Sequence, residues 1–139
     1  MDRLGVLEAL SEQALARELA RLRDRRDAAD RITAEQARLN RRVIAEQRRD
    51  DLASLADLAA ADRFSHAVGE RLPALAAARM DAQQDVERAL AAARRAHGRS
   101  EAAAFLIRAH TARRAAVAAR REEERLSWIS RPGPPPQNS

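Results

Sequence analysis

The chain has 139 residues, enough for one domain, and 34% of them are charged while only 2% are aromatic. All 26 basic residues are arginine, which leaves a formal net charge of +5 against 21 acids. There is no cysteine, so disulfides, thiol chemistry and Cys-based zinc sites are excluded, and no run approaches the eighteen or so apolar residues of a membrane-spanning helix. Ala, Leu, Arg and Glu dominate, and these are among the best helix formers. High charge carried on such a composition points to long helices or a coiled coil.

Met1–Leu10 carries acids and no signal-like apolar core, which predicts no cleaved signal there and a cytoplasmic protein. From Leu4 onwards the larger apolar residues recur at helical spacing: Leu4, Leu7, Leu15, Leu19, Leu22, then Ile32, Leu39, Val43, then Leu52, Leu55, Leu58. No proline interrupts residues 4–61, and their single glycine is Gly5. The expectation is one helix over about 4–61, roughly 85 Å long at the usual rise per residue.

Gly69 and Pro73 mark the expected reversal, over about 62–72, with Ser65 as a candidate N-cap. Phe64 and Val68 would close an apolar tip there. A second helix follows over about 73–129. Its seam steps by threes and fours through Leu72, Leu75, Arg79, Ala82, Val86, Ala89, Ala93, Ala96, Ser100, Ala103, Ile107, His110, Arg114, Val117, Arg121, Glu124 and Trp128. That is heptad spacing, which presents one narrow stripe to a partner helix. Five of its members are only alanine, so its burial supplies far less than a leucine stripe would. Gly98 is the one weak point inside it, and the helix is expected to pass through unbroken. Leu126, Trp128 and Ile129 are expected to clamp the open end against Leu4 and Leu7. Residues 132–139 read as a disordered, Pro-rich tail.

Two helices of similar length on a short connection lie antiparallel. The expected fold class is therefore all-α, a long antiparallel two-helix coiled-coil hairpin, forming a single domain over 1–131. Charge is segregated along the chain. Residues 21–49 hold ten Arg against five acids, residues 50–87 three against eight, and residues 88–121 nine against one. Folding near residue 66 would bring the two basic blocks side by side. A solvated helix surface with intrahelical pairs such as Asp27–Arg31, Glu18–Arg21, Glu35–Arg38 and Glu122–Arg125 is the plainest account of the charge, but such pairs are too few to use all the arginines.

Catalytic chemistry is missing from the pattern. His66, His97 and His110 are too scattered for a metal pair, and the four glycines sit singly, so no phosphate loop exists. His97, Ser100 and Glu101 share a helix face, yet such a face offers no oxyanion donors and no pocket. The reading is a non-enzyme with no cofactor. Arginine suits phosphates, with a steep salt dependence, and equally the carboxylates of a protein partner. Without interleaved aromatics or a nucleic-acid motif, the protein partner is favoured.

One resemblance bears on which partner. The run Ala89-Leu90-Ala91-Ala92-Ala93-Arg94-Arg95-Ala96, then Glu101 to Leu106, then Ala112-Arg113-Arg114-Ala115-Ala116-Val117-Ala118-Ala119-Arg120-Arg121-Glu122-Glu123-Glu124-Arg125-Leu126, resembles the second helix of the FliJ family. Leu15-Ala16-Arg17-Glu18-Leu19-Ala20-Arg21-Leu22 is similar to that family's opening. The likeness is compositional and topological and extends to virulence-type secretion stalks. It implies a stalk component of flagellar type III protein export, serving motility and chemotaxis from the cytoplasm, peripheral to the inner-membrane export apparatus. The implied partners are the hexameric export ATPase and the membrane export gate, with export chaperones as further ones. It would place Arg17, Arg21, Arg113, Arg114, Arg120, Arg121 and Arg125 against ring carboxylates. Two alternatives stay open: a secretion chaperone or adaptor with a three-helix bundle broken at Gly98, and a basic coiled coil that binds nucleic acid.

Overall fold

A computed structural model describes residues 2–49, 54–130 and 133. Two helices account for nearly all of them: α1, Arg3–Gln47, and α2, Leu55–Ser130. The fold class is all-α, with the two helices packed on each other and no strand among the described residues. No helix is long and apolar enough to cross a membrane.

The helix boundaries differ from the expected 4–61, 62–72 and 73–129. α1 ends at Gln47, where Arg49 turns its amide back to the Glu46 carbonyl at 3.2 Å. α2 starts at Leu55, capped by Ser54, whose Oγ accepts from the Asp57 amide at 3.1 Å. The Ser54 carbonyl accepts the first helical bond, from Leu58, also at 3.1 Å. A serine with an acid three residues on is a helix-start signature, and here it outweighs Gly69 and Pro73.

Residues 62–72 are helical instead, because their apolar side chains keep helical spacing: Val68 and Leu75 are buried, at 8% and 2% exposure, with Leu72 half-buried between them. No glycine has a positive φ, and Gly69 lies on the exposed side of α2. Pro73 is exposed inside the helix; it has no amide proton for the carbonyl four residues back, which is that of Gly69. α2 runs through Gly98 without a break, as expected. The tail, residues 132–139, lies outside the described residues apart from Gly133.

The residues group into two compact units, one of residues 13–97 and one of residues 1–12 with 98–139. The first is an antiparallel two-helix hairpin. Followed backwards along α1, Arg42, Glu35 and Arg25 meet Phe64, Arg71 and Asp85, which advance along α2. Arg42 lies 4.9 Å over the Phe64 ring, Arg71 bonds Glu35, and Arg25 stands 3.7 Å from Asp85. Arg79 adds a 3.3 Å bond to Gln36. Phe64 is half-buried and Val68 buried beside Val43, so they pack along the shaft of the hairpin, inside α2, and do not close a tip as expected.

This register corrects the expected pairing of charge. The basic block of α1 lies along the acidic block of α2, so arginines and carboxylates there answer one another. Glu35 pairs with Arg71 and not within its own helix. The core is thin, as the alanine seam implied: Leu22, Val68, Leu75, Ala82, Ala93 and Ala96 are its buried members.

Candidate protein-binding surface

The unit of residues 1–12 and 98–139 is built differently. Ala103, at 3% exposure, is its only buried residue among those described, with Leu4, Glu8, Ser11, Ser100, Ile107 and a few alanines half-buried. A single buried alanine removes little apolar area from water. Val6, Leu7, Leu10, Phe105, Leu106 and Val117 are all exposed. Every residue from His110 to Ser130 is exposed. The predicted seam therefore holds through Ile107, and beyond it His110, Arg114, Val117, Arg121, Glu124 and Trp128 are exposed.

The expected clamp is absent. Leu126 and Ile129 are exposed, and Trp128 is 74% exposed, so none packs on Leu4 or Leu7. The reason is register. With α1 ending at Gln47 and α2 starting at Leu55, the α1 residues lie against earlier parts of α2 than a reversal near 66 would give.

Charge concentrates on this segment. Residues 102–121 hold five arginines and no acid, and what remains of the chain has 21 arginines and 21 acids. These twenty residues of helix thus carry a local charge of +5, while arginines and acids balance over the rest of the chain. At about 100° per residue, Arg113, Arg114, Arg120 and Arg121 fall within an arc of roughly 120° centred on Val117. Arg108 lies on the opposite side of the helix. The pairs 113/114 and 120/121 form two rungs about 10.5 Å apart along the axis.

The other predicted arginines are placed differently. Arg125 stands at the edge of the same arc but is held by Glu122 at 2.8 Å. Arg17 and Arg21 belong to the hairpin of residues 13–97, both exposed, with Arg21 held by Glu18 at 3.0 Å. Arg113, Arg114, Arg120 and Arg121 have no carboxylate within ion-pair distance among the described residues. Arg17 is likewise exposed without an ion pair among the described residues, but it lies on the hairpin, apart from these four. The sequence reading missed Leu106, which shares the line of Val117 and Trp128 at eleven-residue intervals. An eleven-residue repeat nearly matches three helical turns and was legible in principle.

Depressions on the hairpin do not compete with this surface. One, of about 520 Å³, is lined by Glu18, Arg21, Arg25, Asp85 and Arg88, which pair among themselves, and by Asp24. Among the described residues no three His, Asp or Glu side chains gather as metal ligands. No protein-family model, curated protein or solved structure matches the chain.

Proposed function

We propose that this protein is a non-enzymatic coupling component of a type III protein export apparatus, a stalk whose exposed α2 segment docks in the export ATPase ring. What supports the reading is the gathering of Arg113, Arg114, Arg120 and Arg121 on one face of a helical segment, residues 110–130, in which every side chain is exposed. A helix of some twenty residues with no buried side chain is marginal by itself and gains stability when a partner surrounds it. Arginine forks bind carboxylates two hydrogen bonds at a time, so the natural complement is a ring of acidic side chains. The resemblance of this segment to FliJ-family stalks supplies the identity of that ring and of the export gate to which it is coupled. On this reading the protein works in the cytoplasm, against the inner-membrane export apparatus. The continuous helix through Gly98 removes the support for a three-helix chaperone.

The test is stimulation of the cognate export ATPase by the purified chain. Reversing Arg113, Arg114, Arg120 and Arg121 to Glu abolishes stimulation while the circular dichroism melt stays in place. Unchanged stimulation sinks the reading. Salt-resistant binding of duplex DNA by the wild-type chain, lost in the same variant, would instead make it a nucleic-acid-binding coiled coil.

A further inference from the structure

We infer that the exposed α2 face over residues 106–128 is completed by an acidic α-helix of the partner, docked in coiled-coil register. The inference rests on the coupling reading for the existence of a partner and goes beyond it in stating the partner's form. Three observations converge. First, the face continues a seam already in use: Ala103 is buried and Ile107 half-buried on α2, and His110, Arg114, Val117, Arg121, Glu124 and Trp128 repeat the same three-four spacing in the open. A heptad seam is shaped to take knobs from a neighbouring helix. Second, the exposed face has an apolar line, Leu106, Val117 and Trp128, flanked by the arginine rungs. A phosphate backbone satisfies the arginines but leaves the apolar line in water, whereas a helix with an apolar stripe and acidic flanks satisfies both. Third, Arg113, Arg114, Arg120 and Arg121 make no ion pair among the described residues, although Glu124 shares their face. A second copy would bring four more arginines to the same face, which argues against self-pairing.

The partner helix therefore carries carboxylates opposite Arg114 and Arg121 and beside Arg113 and Arg120. Apolar side chains on it cover Val117 and Trp128. Carboxylates seven residues apart on that helix match the two arginine rungs, since both helices share one rise per residue.

Trp128 is the chain's single tryptophan and reports directly on the face. The full chain is titrated with a synthetic three-heptad helical peptide that has a leucine seam and glutamates at the flanking positions. A scrambled peptide of identical composition and a duplex DNA serve as controls. Saturable binding with a blue shift of Trp128 emission is expected for the designed peptide alone. Arg114→Glu with Arg121→Glu weakens it by about tenfold per substitution, a typical size for a charge-assisted contact, and Val117→Asp removes the blue shift. All three positions are exposed, Val117 at 40%, so the melts of these variants stay close to wild type. Equal binding of the scrambled peptide, or tighter binding of the duplex, overturns the inference in favour of charge alone. A blue shift on concentrating the chain alone, with dimers in sedimentation, overturns it in favour of a second copy. If the peptide fails while the ATPase is stimulated in an arginine-dependent way, the coupling reading stands and the helical occupant falls. If the peptide binds and the ATPase is not stimulated, the reverse holds.

Discussion

Arg71 on α2 donates to the carboxylate of Glu35 on α1, and that bond marks how far along each other the two helices of the hairpin lie. With Arg42 over Phe64 on one side and Arg25 near Asp85 on the other, the register is set by three contacts spread along α1. Had the chain turned near residue 66, Glu35 would have faced the basic stretch beyond Arg94. The consequence is measurable. Glu35→Arg and Arg71→Glu should each lower stability slightly, and the double swap should recover it, with a coupling of about 0.5 kcal/mol for so exposed a pair. Thermal melts of the four proteins at low salt give the coupling, and zero coupling would contradict this register.

The start of α2 makes a second prediction. Ser54 holds the Asp57 amide, so Ser54→Ala should cost about 1 kcal/mol. Further along, Pro73 removes a backbone bond from the middle of the same helix, and its burial adds nothing, since it is exposed. Pro73→Ala should therefore stabilise, by up to about 3 kcal/mol. Urea unfolding followed by circular dichroism separates the two signs. A turn at 62–72 would give the opposite pattern, with Ser54→Ala silent and Pro73→Ala harmless or damaging.

These elements show what could be read in advance. Helix type, antiparallel packing and the weak alanine seam follow from periodicity, which is a strong signal over stretches this long. The turn was misplaced because Gly69 and Pro73 are conspicuous helix breakers, whereas Val68, Leu72 and Leu75 supply the burial that overrides them. Ser54-Leu55-Ala56-Asp57 was the quieter and correct signal. The arginine cluster was visible as composition. Its exposure was not, because exposure depends on where α1 lies, and a turn displaced by some fifteen residues moves every cross-helix neighbour.

The hairpin's stability rests on few side chains. Leu22 and Leu75 are its largest buried residues, at 6% and 2% exposure, and the alanines around them have no atoms to spare. Leu75→Ala should cost roughly 2–5 kcal/mol, the usual range for emptying a buried leucine site. Domains commonly have only about 5–15 kcal/mol in total, so this single change should remove a large share of the stability and lower the melting temperature markedly. Exposed Leu19→Ala, on the same hairpin, should cost less than about 1 kcal/mol. Equal effects at the two positions would mean that the core lies elsewhere.

The far end of α2 should be indifferent to its own apolar residues. Leu126, Trp128 and Ile129 would each be worth a few kcal/mol if they clamped α1, yet all three are exposed. Replacing all three with alanine should leave the melting curve of the isolated chain within about 0.5 kcal/mol of wild type. Alanine also has the higher helix propensity, so any small change should favour the variant. Trp128 emission in the free chain should match a hydrated indole and be quenched readily by a water-soluble quencher. A loss of several kcal/mol, or a blue-shifted and protected tryptophan in the free chain, would restore the clamp. Indifference in the free chain, joined to loss of affinity for the acidic helical peptide in the Trp128→Ala protein, would show that this end of α2 is shaped for a partner and not for its own fold.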